Sequence, residues 1–281
     1  MDMLQRGKYM VSYVKEIDLK SRINPVTEKG YQSDCIIFIL EENENPGMVC
    51  GKSANGIYTA RTGTGNLNWK MAVGDFINYN NIMGHEAVVC ISSKRLDEVK
   101  ESYLGHSYNE RRLREYEPSF LIHSTTYENG KRILEDGYIG SWNLLKKEKK
   151  ITGETQVGKI LGDLDYFSDY IMFSCGEVSS EIVVMSKQSG RIIMDINNQY
   201  KTGNRFYFDA AKMAEDGIIE RDGIHIKVRE KLPLKPYLLW WTDWKKAGLK
   251  DQVSTPAEFT DKANSAFGNY IIYNFRRKNI D

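Results

Sequence analysis

The apolar residues of this chain come in short runs, and that limits what it can fold into more than any other feature. DCIIFIL (34–40), EAVVCIS (86–92), FLIHSTT (120–126), DYIMFS (169–174), RIIMDI (191–196) and PYLLWW (236–241) are each bounded by glycine, proline or polar clusters. Short runs rich in β-branched and aromatic residues read as strands, and they are far too short to span a bilayer. In the second half, short helical segments precede a run of strands. The fold class expected is therefore α+β with a mostly antiparallel sheet.

Composition narrows the class further. A chain of 281 residues that is 41% hydrophobic and 27% charged can bury a core without disulfide or metal staples. Its 39 basic and 38 acidic side chains leave a net charge of +1, so no global field draws it to nucleic acid or an anionic membrane. A nucleic-acid partner would have to be held locally. Cys35, Cys50, Cys90 and Cys175 are widely separated, with no histidine at ligand spacing beside them. They read as reduced thiols of a cytoplasmic protein, and no metal is implied. The N-terminal MDMLQRGKYM lacks the apolar core of a signal peptide.

Local signals divide the chain. GKSANGIYTARTGTGNLNWK, with its glycines and asparagines, predicts turns and an exposed hairpin around Ile57–Thr62. From Lys94 to Glu115 apolar residues recur at helical intervals with a break near Gly105, which predicts one or two connecting helices stopped at Glu117-Pro118. Thr125-Thr126-Tyr127-Glu128 has the form of a capping box, and Gly137 ends the helix it opens. A short helix is expected from Glu177, a strand over 191–196, and a hairpin turning at Asp222-Gly223. The boundary falls near 115–119, giving a smaller N-terminal region over 1–115 and a second domain over 116–281.

Residues 119–240 resemble the ADP-ribosyltransferase superfamily, nearest to the branch of the RNA 2′-phosphotransferases and the DNA-modifying toxins. FLIHSTT at 120–126, ILEDGYIGS at 133–141, the DYIMFS strand at 169–174 and FYFDAAKMAEDGIIERDGIHIKVREKLP at 206–233 carry the resemblance. In that superfamily the first core strand ends in a histidine followed by a small residue and a threonine, then a helix with a terminal glycine. The resemblance implies a split-sheet ADP-ribosyltransferase-like domain and an enzyme that cleaves NAD and passes ADP-ribose to a macromolecular acceptor, protein or nucleic acid. By family analogy such a protein serves as a toxin or defence effector.

The chemistry asks for these residue types. Breaking the nicotinamide–ribose bond leaves a cationic, oxocarbenium-like sugar, as in glycoside hydrolysis. A site needs hydrogen bonds that fix the ribose, a flat wall for nicotinamide and negative charge near the developing cation. By resemblance, His123 holds a ribose hydroxyl, Ser124 and Thr125 assist at the strand end, and Ser174 faces the ribose. Strand alternation puts Tyr170 on the face of Ser174, which makes Tyr170 the aromatic wall. Glu230 is the best-positioned match to the family's glutamate, with Glu177, Glu181 and Glu220 as rivals. Two other readings stay open. One is a catalytically inactive nucleotide- or RNA-binding module of the same fold. The other is an RNA 2′-phosphotransferase-like enzyme, although Met172 stands where that family's second histidine would be and Arg191 alone does not make its arginine set. The Gly63/Gly65 loop lacks a Gly-Lys-Ser/Thr ending and reads as turn chemistry, and the basic runs at 146–150 and 276–278 read as solvated faces.

Overall fold

A computed structural model describes residues 11–151, 156, 158–159 and 162–278. The protein is α+β, with several small sheets flanked by helices. It divides into two compact units. The first comprises residues 1–110, 161–168 and 219–226, and the second 111–160, 169–218 and 227–281.

The first unit is built on a five-stranded sheet. Its strands are β1 (Val11–Val14), β2 (Ile36–Glu41), β3 (Met48–Lys52), β4 (Tyr58–Gly63) and β5 (Ala87–Cys90), in the order β1-β5-β2-β4-β3. All neighbours are parallel except β3, which forms an antiparallel hairpin with β4. Strand β2 is apolar at consecutive positions because both of its faces are covered. Cys35, Ile37, Ile39, Val88 and Cys90 form a core on one side. On the other, Phe38 meets Phe76 of helix α1 (Trp69–Met83) at 5.1 Å between ring centroids. The hairpin expected around Ile57–Thr62 is present but not exposed: β4 lies between β2 and β3, and five of its six residues are buried. Helix α2 (Ser93–Ser102) is capped by the Ser92 hydroxyl, which accepts from Arg95 N. Among the described residues it is the single helix in the 94–115 stretch.

In the second unit every described strand pairing is antiparallel. Strand β6 (Phe120–Thr125) leads through a sharp turn into α3 (Tyr127–Asp136), β7 (Tyr138–Gly140) and α4 (Trp142–Lys147). The cap of α3 is Thr126, one residue later than the capping-box spacing suggests: its hydroxyl accepts from Asn129 N. Gly137, at φ 74°, turns the chain out of the helix, its N–H bonded to Ile133 O. There follow β8 (Tyr170–Met172), α5 (Ser179–Ser189), β9 (Tyr200–Lys201), β10 (Asn204–Asp209) and α6 (Ala210–Glu215). After the short β11 (Glu220–Arg221), which belongs to the first unit, come β12 (Ile226–Arg229), β13 (Lys231–Pro233), β14 (Leu238–Thr242), β15 (Val253–Ser254) and α7 (Pro256–Lys278).

The central three strands run β14-β10-β6. Phe206, Tyr207 and Phe208 of β10 are fully buried. Tyr207 stacks on Phe267 of α7 at 4.1 Å, with Ile122 closing the same cluster. The segment 191–196, read as a strand, is irregular. Only Ile193 turns inward, against the Val184–Phe259 cluster, while Ile192, Met194 and Ile196 are exposed. An apolar run becomes a strand only when a sheet edge is there to receive its backbone hydrogen bonds.

Candidate functional site

The site assembles where β6 meets the chain that follows β8. Ile122 and Ser174 exchange two backbone hydrogen bonds of 2.9 Å, forming a single bridge that places Ser174 beside the end of β6. His123, the next residue on β6, turns its imidazole toward the neighbouring chain, with Nδ1 3.3 Å from the Met172 carbonyl. A carbonyl can only accept, so Nδ1 carries the proton and Nε2 presents a lone pair. Burial pushes the His123 pKa down to about 4; the Met172 carbonyl opposes this, and the Lys187 ammonium adds to it. The ring is therefore neutral at pH 7, and Nε2 is a standing hydrogen-bond acceptor with no partner among the described residues.

The ring that meets His123 is Phe173, edge-on at 6.2 Å, backed in turn by Phe208 at 5.9 Å. Tyr170, expected as the wall, is engaged elsewhere. Its hydroxyl accepts from the Arg229 guanidinium, and its ring lies under Lys227 Nζ at 4.3 Å and Arg229 at 4.9 Å. Ser174 Oγ is buried and has no hydrogen-bond partner. Ser174 pairs with Ile122 across the bridge, so its side chain shares the Ile122 face of β6, opposite to that of His123.

Ser124 points to the opposite face of β6 from His123 and enters a closed network. Its hydroxyl bonds Glu181 Oε1 at 2.5 Å and Ser180 Oγ at 3.2 Å. Glu181 is 0% exposed and pairs with the equally enclosed Arg205 at 3.1 Å, and its second oxygen accepts from the Tyr200 hydroxyl at 2.7 Å. Arg205 also donates to Ser180 Oγ and to the carbonyls of Gly176 and Glu177. One guanidinium thereby ties β10 to α5 and to the loop just past Ser174. Thr125 ends β6 opposite Asn204. There the Thr125 carbonyl lies so near Gly203 that a Cβ at 203 would come within 1.7 Å of it.

Glu230 is not carried to His123 by the strand register. It sits in the β12–β13 turn at φ 56°, exposed, with its N–H on Asp169 O and its carbonyl on Ser141 N. Asp169 and Met172 are three residues apart, about 10 Å along a strand, so Glu230 lies at the other end of β8 from the imidazole. Of the rival acids, Glu181 is the one brought to β6, and there both its oxygens are occupied. Glu177 is exposed in the loop beyond Ser174, and Glu220 belongs to the first unit. Arg191 is exposed on the irregular segment. Cys175 is no rival nucleophile: desolvation raises its thiol pKa, and the Glu177 and Glu117 carboxylates raise it further.

Arg205, Tyr200, Lys187 and Phe173 are the participants that sequence reasoning passed over. A signal existed for Arg205: a lone arginine heading the apolar FYF run must find a buried counter-ion if that run is a central strand. Among the described residues no group of three His, Cys, Asp or Glu side chains could hold a metal ion, and no helix is long and apolar enough to cross a membrane. No family model, no curated protein and no solved structure matches this chain.

Proposed function

We propose that the second unit binds NAD and transfers its ADP-ribose to a macromolecular acceptor, protein or nucleic acid. The observation that carries this reading is the neutral imidazole of His123, its tautomer set by the Met172 carbonyl, with Nε2 open and the ring edge-on to Phe173. An acceptor nitrogen next to the apolar edge of Phe173 suits a ribose hydroxyl beside a flat ring. The resemblance of residues 119–240 to the ADP-ribosyltransferases points the same way. In the reaction, nicotinamide leaves with the bonding electron pair and the sugar carbon takes the acceptor nucleophile. His123 holds the sugar while this happens, so its contribution is positioning and hydrogen bonding, not proton transfer.

A second reading, a nucleotide-binding module that does not cleave, is favoured by one specific observation: the acid brought to β6, Glu181, is enclosed, and Glu230 lies at the far end of β8. Nicotinamide release from NAD distinguishes the two. Transferase activity predicts steady release that falls about tenfold to a hundredfold in His123→Ala, the equivalent of one or two lost ligand hydrogen bonds. Tight NAD binding without release supports the binder, and absence of both sinks the NAD reading.

A further inference from the structure

On the face of β6 that carries His123, one polar group is buried without a partner. Strand β10 pairs Asn204 with Thr125 and Phe206 with His123. Residues two apart on a strand share a face, so Asn204 and His123 stand on the same side of the sheet as diagonal neighbours, about 7–8 Å apart. Asn204 is 1% exposed, and its Oδ1 is enclosed with no hydrogen-bond partner among the described residues. An enclosed acceptor left unpaired costs folding free energy unless something supplies a donor.

The fold gives this amide room but no bond. The next residue on β10, Arg205, points to the other face and is tied there to Glu181, Ser180 and two carbonyls. Over Asn204 passes the backbone of α3 at Gly130, where a Cβ would come within 2.3 Å of both Cγ and Oδ1. Glycine at 130 is therefore what lets the amide sit there. The last torsion of an asparagine is soft and roughly two-fold, so its oxygen can swing from beneath α3 along the sheet face. His123 Nε2 and Asn204 Oδ1 are both acceptors, and two acceptors on one face call for a ligand that carries more than one hydroxyl.

We propose that Asn204 is a second ligand-binding residue of this site and accepts from a ribose hydroxyl that His123 does not hold. This rests on the reading of His123 as a ribose ligand, and the two can fail separately. Binding of NAD, and of NAD analogues that each lack one ribose hydroxyl, is measured by calorimetry on the full chain. The variants are Asn204→Ala and His123→Ala, with circular dichroism to check that each is folded; Asn204→Leu, apolar and similarly branched, stands in should the alanine variant not fold. The parent is expected to bind one of the analogues about tenfold more weakly than NAD. Removing the amide should weaken NAD by about the same factor and abolish the preference, because the lost hydroxyl then has no acceptor to miss. A purely structural asparagine would weaken all the ligands together and leave the preference intact. That result, or NAD binding unchanged in a folded Asn204 variant, overturns the inference and leaves the reading of His123 standing. Preference lost in the Asn204 variant, with NAD binding unchanged in His123→Ala, upholds Asn204 and removes the reading of His123. A parent that binds neither NAD nor any analogue, or binds all of them equally, overturns the role of Asn204 outright.

Discussion

A histidine that stays neutral well below its ordinary range is the most informative single residue in this protein. Its pKa of about 4 lies below the unfolded value near 6.5. Between those values the unfolded chain binds the extra proton and the folded chain does not, so stability is whole above about pH 6.5 and is lost as pH falls toward 4. The loss from this residue alone is roughly 3 kcal/mol, and below pH 4 it stops growing. Denaturation midpoints for the parent and His123→Phe across pH 4–7 test this, because the phenylalanine variant lacks that part of the slope. Removing the nearby cation is a finer probe. In Lys187→Gln the imidazole pKa should move up, read by NMR titration of the ring protons, and an unmoved pKa would show that the ammonium does not act on the site.

At the scale of elements, the decisive object is the buried pair joining α5 to β10. Arg205 and Glu181 are enclosed, so each is tolerable only because the other is there. Glu181→Ala strips the partner from a buried guanidinium and frees the Ser124 and Tyr200 hydroxyls at once. The expected cost is about 3–5 kcal/mol, read as a shift in the urea midpoint at constant slope. A change within about 1 kcal/mol would mean that water reaches Arg205 after all. The same strands show why position 203 is glycine: β10 must come within bonding distance of β6 immediately after a residue whose Cβ would overlap the Thr125 carbonyl. Some of this was legible in advance. FLIHSTT reads as a strand running into a turn, and Gly137 as a helix stop, because both depend on neighbours within a few residues. The choice of acid was not, since Glu181 and Arg205 are 24 residues apart and only the β10–α5 packing makes them partners.

For the whole molecule, the order of residues along the chain and their membership of a unit differ. Residues 161–168 and 219–226 belong to the first unit although they follow most of its chain. Phe167 is 5% exposed there, edge-on to Tyr58 at 5.3 Å and to His225 at 5.3 Å, and Ile219 is 1% exposed. A fragment ending at residue 110 loses both segments. Burying an aromatic or aliphatic side chain contributes about 1.5–3 kcal/mol, so losing two removes several kcal/mol from a total of about 5–15. Such a fragment should melt without a cooperative transition, and a sharp calorimetric peak from it would show that the later segments are dispensable to that core.

What the sequence alone determined was local: the short strands, the cap and glycine stop around α3, the absence of any long apolar helix and a histidine at the end of a strand. Each follows from side-chain period, φ preference or apolar length, properties that neighbouring residues carry by themselves. The tertiary structure decided which ring meets His123, which carboxylate is enclosed against Arg205, that β4 is interior and that RIIMDI is not a strand. Those outcomes depend on which distant backbone edge or counter-charge is available, and pairing across tens of residues leaves no mark in the spacing of either partner.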